Sequence, residues 1–214
     1  MKILLIGATG NIGQRILKEA LEKGYEVTAV QRKPEGLTLQ HDHLTVIKGD
    51  LLKEAELPSL LDDQDVIISA ASPVGGLTPE LFIKANQNLI AALQGKPGKR
   101  VIIVGGAGST EVSPGLRLMD SPIMDQLPEE WKPAIFAHGE VLGLYKNSGL
   151  NWTYFSPANH IQAGERTGKY RLGTTRMIFD DNNESKISYE DYAVALVDEI
   201  KNQQYLKQQF CIGY

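Results

Sequence analysis

The sequence predicts an α/β fold, one domain built on a doubly wound parallel sheet with helices on both faces. Three observations predict it. A short apolar run at residues 2–6 stops at a glycine-rich loop, helical spacing of apolar residues begins at Asn11, and further apolar runs alternate with helical patterns along the chain. A length of 214 residues suits one domain with a full-sized core.

The first strand, loop and helix carry the clearest motif. Residues 7–13 read Gly-Ala-Thr-Gly-Asn-Ile-Gly, with the spacing G-x-x-G-x-x-G, and the amphipathic helix that follows ends before Gly24. This loop is a variant of the fingerprint that binds dinucleotides. We expect Gly7 to permit the tight turn, Gly10 to let the backbone approach a pyrophosphate, and Gly13 to let the helix pack close to the strand.

The start of that helix is a predicted phosphate site, because its unpaired N–H groups and positive dipole end favour an anion. A glycine-rich turn without a ligand is the alternative interpretation of the same pattern. The residues of the loop expected to bind the cofactor are Gly7, Thr9, Gly10, Asn11, Ile12 and Gly13.

Later strands are predicted to bring their carboxyl ends to the same crevice. Ligands of doubly wound sheets bind there, at the point where the strand order reverses. The predicted strands are 26–30, 44–48, 65–69, 100–104, 151–155 and an edge strand at 209–212, with helices at about 79–93, 133–147 and 188–200 and a short hairpin at 168–181. The further cofactor contacts predicted at strand ends are Asp50, Leu51, Ala70, Ala71, Ser72, Gly105, Gly106, Pro157 and Ala158.

The end of the second strand bears on the choice of cofactor. An NAD-selective site places a carboxylate on the ribose about 20 positions after the last glycine of the loop. Arg32 and Lys33 stand there instead, and cations suit a 2′-phosphate. The sequence therefore favours NADP(H) over NAD(H), with a solvated basic turn as the alternative.

Composition and charge limit the classes of partner that the chain is expected to bind. The chain has 22 Lys and Arg against 26 Asp and Glu, a formal net charge of −4, and no basic stripe, so nucleic acid is not an expected partner. The single cysteine, Cys211, cannot form an internal disulfide, and no apolar run has membrane length. We expect a cytoplasmic protein without a membrane partner. We also expect no metal site, because residues 41–43, His-Asp-His, lack a third fixed ligand.

Several longer segments together resemble a known superfamily. They are residues 7–13, 48–50, 104–109, 149–158, 164–171 and 187–193. With them the chain resembles the atypical short-chain dehydrogenases/reductases, which have a Rossmann-like fold. Within these it is similar to the NADH-flavin reductases related to biliverdin-IXβ/flavin reductase and to the NmrA-like proteins.

The resemblance implies an NAD(P)H-dependent reductase that passes hydride to a flavin, a quinone or a tetrapyrrole. A flavin would be a substrate of such an enzyme and not a tightly bound group. The resemblance also implies an alternative, an NmrA-like protein that senses NADP(H) and regulates a protein partner without turnover.

One departure from the superfamily affects the chemistry. Typical members carry Tyr-x-x-x-Lys on the helix before the sixth strand, but here Lys132 and Phe136 occupy those positions. The serine usually found after the fifth strand is displaced by Gly105 and Gly106. The usual proton donor for carbonyl chemistry is therefore absent, whereas direct hydride transfer to a flavin does not need a fixed donor.

Two segments, about 109–130 and 159–188, are expected to form the substrate pocket. Residues 112–130 contain three prolines and no sustained period, which is typical of a lid or pocket wall. The second segment carries Arg166 and Tyr170, candidates to cover the substrate, and Lys169 and Arg171, candidates to meet an anionic substrate. A solvated hairpin is the alternative for the last two.

The candidates for catalysis are few. His160 directly follows the sixth strand, and His138 lies on the helix where the missing dyad would be. Ser109 is a candidate to donate a hydrogen bond to an acceptor carbonyl. The alternative for each histidine is a surface or helix-capping position, and the alternative for Ser109 is a structural role in a turn.

Overall fold

The computed structural model describes residues 1–74 and 76–214, so Gly75, in the loop of small residues after the fourth strand, lies outside the described residues. The strands are β1 (Lys2–Ile6), β2 (Glu26–Gln31), β3 (Leu44–Lys48), β4 (Val66–Ser69), β5 (Arg100–Val104), β6 (Glu111–Ser113), β7 (Leu116–Arg117), β8 (Asn151–Ser156), β9 (His160–Gln162), β10 (Arg171–Gly173), β11 (Lys186–Ser188) and β12 (Gln208–Gly213). The helices are α1 (Asn11–Glu22), α2 (Leu57–Leu61), α3 (Pro79–Leu93), α4 (Lys132–Lys146) and α5 (Tyr189–Asn202), with short 3₁₀ turns between them.

The main sheet has eight strands in the order β10-β12-β8-β5-β4-β1-β2-β3. Every neighbouring pair is parallel except β10 with β12. The strand order reverses between β1 and β4, so the loops after these two strands diverge to opposite faces and leave a crevice between them. This confirms the predicted doubly wound, Rossmann-like α/β fold.

The two faces of the sheet are both covered, which explains why the strands are apolar throughout instead of alternating. On β1, Ile3 and Leu5 belong to the cluster formed with α1 and α5. Leu4 and Ile6 belong to the cluster formed with α2, α3 and α4. Among the residues described, none of the helices combines the length and the apolar character that crossing a bilayer requires.

Two predictions about the C-terminal third are wrong. Residues 168–181 do not form a hairpin, because β10 pairs antiparallel with β12, some 40 residues further along the chain, as in the pair Leu172 and Ile212. For the same reason β12 is not an edge strand: it lies between β8 and β10. The apolar pattern of 209–212 marks a strand, but its neighbours depend on distant residues.

The two segments expected to form the substrate pocket contact each other. The backbone of Glu111 exchanges hydrogen bonds with Thr175 and Met177. Leu118, Met124 and Met177 form a small apolar cluster of their own. The segments therefore share a structural unit beside the sheet, and their part in holding a substrate stays a prediction.

Candidate cofactor site

The three glycines of the first loop differ in what the fold demands of them. Gly7 has φ of +82°, and a Cβ there would lie 2.6 Å from the carbonyl oxygen of Ala70. A Cβ on Gly13 would lie 2.0 Å from the carbonyl oxygen of Gly7. A Cβ on Gly10 would meet only that same oxygen, at 3.4 Å. Turn geometry and close packing therefore require Gly7 and Gly13, whereas the open space beside Gly10 is available to a ligand.

The first turn of α1 is open to an anion. Gly10 is the N-cap residue, so no side chain caps the helix, and the first turn carries no acidic residue. The amide groups at a helix start lack partners within the helix and attract negative charge. This end of α1 fits the pyrophosphate of a dinucleotide.

A crevice of about 220 Å³ begins at this loop. It is bounded by the carboxyl ends of β1, β2, β3 and β4, as the doubly wound topology predicts. The structure brings together at its wall these residues of the predicted cofactor set: Gly7, Thr9, Gly10, Arg32, Asp50, Leu51, Ala70, Ala71 and Ser72. Of the remaining loop residues, Asn11 is exposed and Ile12 packs partly against the core.

Gln31 is a residue of the crevice that the sequence-based prediction missed. It is 8% exposed, and its Oε1 accepts a hydrogen bond from Oγ1 of Thr9 at 3.3 Å. Its buried Nε2 has no partner within residues 1–74 and 76–214. A buried donor without a partner costs roughly 1–3 kcal/mol, so an oxygen of a bound nucleotide would stabilise it. A polar residue at the end of an otherwise apolar strand was the available signal.

A basic recess adjoins the crevice. Arg32, Lys48 and Lys53 line it together with two carboxylates, those of Asp50 and Glu56. Asp50 accepts a hydrogen bond from the amide of Leu52 at 3.0 Å, so it caps a turn ahead of α2. Lys33, also predicted to bind the cofactor, lines neither the crevice nor this recess.

The packing at the end of β5 leaves no room for side chains at positions 105 and 106. A Cβ on Gly105 would lie 2.2 Å from the ring of Tyr154, and one on Gly106 would lie 2.9 Å from the ring of His138. The two rings fill the space that side chains at these positions would take. His138 is half-buried between Gly106 and Phe82, whose ring centroid is 4.8 Å away.

Burial lowers the pKa of His138 to about 4. Its imidazole is therefore neutral at pH 7 and has no acidic proton to give to a substrate. Burial also raises the pKa of Tyr154 above its usual range. Neither side chain therefore has a readily released proton at neutral pH.

Ser109 is used inside the protein. It is 4% exposed, it donates to the carbonyl oxygen of Gly106 at 3.2 Å, and it accepts from Nε2 of Gln209 at 2.9 Å. Its oxygen also lies 3.3 Å from that of Ser156. This geometry supports a structural role and gives no support to the predicted hydrogen bond to a substrate. Pro157 and Ala158, predicted cofactor contacts, are likewise buried.

His160 lies on β9, away from the crevice. Its side chain is exposed and lines a second cavity of about 530 Å³ with Gln162, Lys186 and Tyr214. None of the residues that line this cavity lines the cofactor crevice. A catalytic part for His160 stays a prediction.

The basic residues of the segment 164–171 mostly have partners in the protein. Arg166 forms an ion pair with Glu19 of α1. Arg171 donates to the carbonyl oxygens of Phe179 and Tyr214. Lys169 is exposed, and Tyr170 packs partly against the core. The arginines therefore fix the C-terminal part of the chain. This geometry supports neither the prediction that Arg166 covers the substrate nor the prediction that Arg171 meets an anionic one.

Comparisons with known proteins show which family and which solved structures this chain is similar to. A family model described as NAD(P)H-binding matches residues 7–203. The Bacillus subtilis protein YwnB is 34% identical to this chain over 216 residues, which are 99% of this chain and 98% of YwnB.

Two solved structures are similar over the whole chain. A Bacteroides thetaiotaomicron protein, provisionally named an epimerase, is 41% identical with a TM-score of 0.90, and the match covers 100% of this chain and 96% of that one. A Streptococcus pneumoniae protein, provisionally named an NADH-flavin reductase, is 34% identical with a TM-score of 0.87, and the match covers 100% and 99%. The provisional names differ, so they do not choose an activity by themselves.

Proposed function

The chain belongs to the NAD(P)H-binding family, and from this premise we propose that it is a reductase that uses NADPH to reduce a flavin or a similar planar acceptor. The observation that carries the proposal is the pairing of a dinucleotide crevice with a β5 end that offers no proton donor. Gly105, Gly106 and a neutral His138 stand there. A planar acceptor that takes hydride directly is the substrate class that such a site suits.

The chemistry supplied by the nucleotide is transfer of a hydride, with its electron pair, from nicotinamide C4 to flavin N5, while water protonates flavin N1. The protein's part is to bind and orient. The first turn of α1 would hold the pyrophosphate, Gly10 would leave room for it, and Nε2 of Gln31 would donate to a nucleotide oxygen. The small residues Ala70 and Ala71, which line the crevice, would let the nucleotide lie against the end of β4.

The proposed cofactor preference is NADP(H) over NAD(H). Arg32 lies at the end of β2, where it lines both the crevice and the basic recess, and Lys48 and Lys53 line the recess beside it. Lys53 is paired with Glu56 at 3.0 Å, so Arg32 and Lys48 are the cations that best fit a 2′-phosphate.

A second candidate function is a sensor that binds NADP(H) and regulates a protein partner without turnover. The same lack of a proton donor at the β5 end favours it. Epimerisation, the activity in the provisional name of one solved relative, has weaker support, because it needs a base poised to take a proton. Residues 1–149 contain no Tyr-x-x-x-Lys, and burial lowers the pKa of His138 to about 4, which makes its imidazole a weak base.

The test is NADPH oxidation by the purified protein with a panel of acceptors: riboflavin, FMN, FAD, menadione and biliverdin. Saturable turnover with a flavin or a tetrapyrrole is the expected result. Tight NADPH binding without oxidation in the whole panel would favour the sensor, and no affinity for NADPH or NADH would remove both functions. The Gly10→Val variant serves as the control for turnover that does not depend on the crevice.

A further inference from the structure

The side chains of His138 and Tyr154 form a hydrogen-bonded cluster beneath the turn that follows β5. Oη of Tyr154 lies 2.9 Å from the carbonyl oxygen of His138, 3.2 Å from Nδ1 of His138 and 3.3 Å from the amide nitrogen of Gly106. A tyrosine hydroxyl has one proton to donate, and a carbonyl oxygen can only accept. Tyr154 therefore donates to the carbonyl, and its oxygen accepts from the amide of Gly106 and from Nδ1.

This arrangement fixes the tautomer of His138. Because Nδ1 is the donor to Tyr154, it carries the ring proton, and Nε2 keeps an unshared electron pair. The low pKa of the ring keeps Nε2 unprotonated at neutral pH. Among the residues that the structure describes, no hydrogen bond to Nε2 is formed. Nε2 is thus an acceptor that a ligand can use.

The cluster lies at the end of β5, one strand away from the crevice wall that β4 forms, and His138, Tyr154 and Gly106 do not themselves line the crevice. Cδ2 of His138, the ring atom bonded to Nε2, would lie 3.1 Å from a Cβ on Gly106. β5 pairs with β4, with Ile103 beside Ser69, and the loop after β4 supplies Ala70 and Ala71 to the crevice wall. The ring of His138 therefore packs beside the end of β5, the strand next to the one that supplies Ala70 and Ala71 to the crevice wall.

We infer that His138 determines the class of acceptor, by accepting a hydrogen bond from the ring N–H of a planar heterocycle with an imide or lactam group. The inference rests on the proposed reductase function. A flavin offers such an N–H at N3, and a tetrapyrrole offers lactam N–H groups. A quinone offers only carbonyl oxygens, whose electron pairs would face that of Nε2. The site therefore selects N–H acceptors over quinones.

The test compares lumiflavin with its N3-methyl derivative, which lacks the N–H. Each is titrated into the NADP⁺-loaded protein, and binding is followed by quenching of flavin fluorescence. One hydrogen bond predicts that lumiflavin binds about 3- to 10-fold more tightly to the wild-type protein. His138→Phe keeps a ring between Gly106 and Phe82 but has no acceptor, so it should bind both flavins equally.

The tautomer is tested separately. Tyr154→Phe keeps the ring under Gly105 and removes the hydroxyl that holds Nδ1–H, so the preference for lumiflavin should shrink while NADPH affinity stays unchanged. Long-range ¹H–¹⁵N spectra should show a protonated Nδ1 and a bare Nε2 for the histidine signal that disappears in His138→Phe.

Several outcomes would overturn the inference: equal binding of the two flavins by the wild-type protein, a preference that survives in His138→Phe, a protonated Nε2, or no binding of lumiflavin at all. Failure of the reductase proposal would be observed as binding of lumiflavin in the presence of NADP⁺ without any oxidation of NADPH. In that case the titrations would still measure whether His138 accepts a hydrogen bond from the flavin.

Discussion

Arg166 and Glu19, 147 positions apart in the chain, form a bidentate ion pair. Nε of Arg166 donates to Oε1 of Glu19 at 2.5 Å, and Nη2 of Arg166 donates to Oε2 of Glu19 at 3.0 Å. Glu19 is on α1 and is 4% exposed. Close by, Glu190 accepts from Nε of Arg15 at 3.0 Å and from the amide of Gly164 at 2.8 Å. These hydrogen bonds and ion pairs therefore hold the segment that begins at Gly164 against α1, the helix whose first turn faces the nucleotide crevice.

Replacing Arg166 with Ala should lower stability without affecting the reaction. The Glu19 carboxylate would stay buried without its partner, and because the arginine is half-exposed we expect a loss of about 1–2 kcal/mol in the free energy of unfolding. Urea denaturation measures it. Lys169→Ala, at an exposed position of the same segment, is the control and should change nothing. Wild-type stability with a raised KM for the acceptor would instead show that Arg166 meets the substrate.

Gly10→Val should separate cofactor binding from folding. The added side chain meets little within the protein but occupies the space next to the helix start, so NADPH affinity should fall by at least about tenfold. Because Gly10 has the extended φ of −73°, the free energy of unfolding should fall by no more than about 1 kcal/mol. Fluorescence titration and thermal unfolding measure the two quantities.

Two further glycine variants serve as comparisons for Gly10→Val. Gly13→Ala should destabilise the protein severely, since its Cβ would lie 2.0 Å from the carbonyl oxygen of Gly7. Gly143→Ala, in open space on α4, should stabilise it by about 0.5–1 kcal/mol and leave NADPH binding unchanged. Wild-type NADPH affinity in Gly10→Val would contradict the assignment of the loop.

The fold was predictable where neighbouring residues decide it. The bounds of β1, β3, α3 and β5 are the predicted ones, because each element shows its own period and stops at glycine or proline. The prediction failed for β10 and β12, whose pairing joins distant segments. No local pattern distinguishes a strand paired with a distant partner from one half of a hairpin.

The candidate site divides in the same way. The glycine loop was recognisable from its spacing together with the strand and the helix that flank it. The roles of Ser109 and Arg166 instead depend on partners 100 and 147 positions away, Gln209 and Glu19. Both residue types also occur in substrate pockets, so their chemistry by itself did not choose between the two roles. Gln31 was not predicted, because the cations that follow it, Arg32 and Lys33, carry the stronger signal at the end of the second strand.

Arg32→Glu should weaken NADPH binding and spare NADH. Arg32 borders both the crevice and the basic recess, and a lost charge-assisted contact to the 2′-phosphate should cost about tenfold in affinity or more. Lys48→Glu should act in the same direction. Lys33→Glu is the matched control, because Lys33 lines neither space. Titration with both nucleotides checks this, and an unchanged ratio of the two affinities in Arg32→Glu would remove Arg32 from the site.

Protonation of His138 should make the protein less stable in mild acid. Burial lowers its pKa to about 4, against an ordinary value of 6.5 in the unfolded chain. Between these values the unfolded chain binds a proton that the folded protein does not, so stability is present above pH 6.5 and is lost as the pH falls toward 4. This group alone should account for about 1–2 kcal/mol between pH 7.5 and pH 5.

The measurement is the free energy of unfolding in urea at a series of pH values. His138→Phe should lose less stability than the wild-type protein over this interval, whereas His43→Gln, at an exposed position, should follow the wild-type curve. Parallel curves for wild type and His138→Phe would mean that His138 titrates normally in the folded protein. Its Nε2 would then be protonated in part near neutral pH and would no longer serve as an acceptor for a substrate N–H.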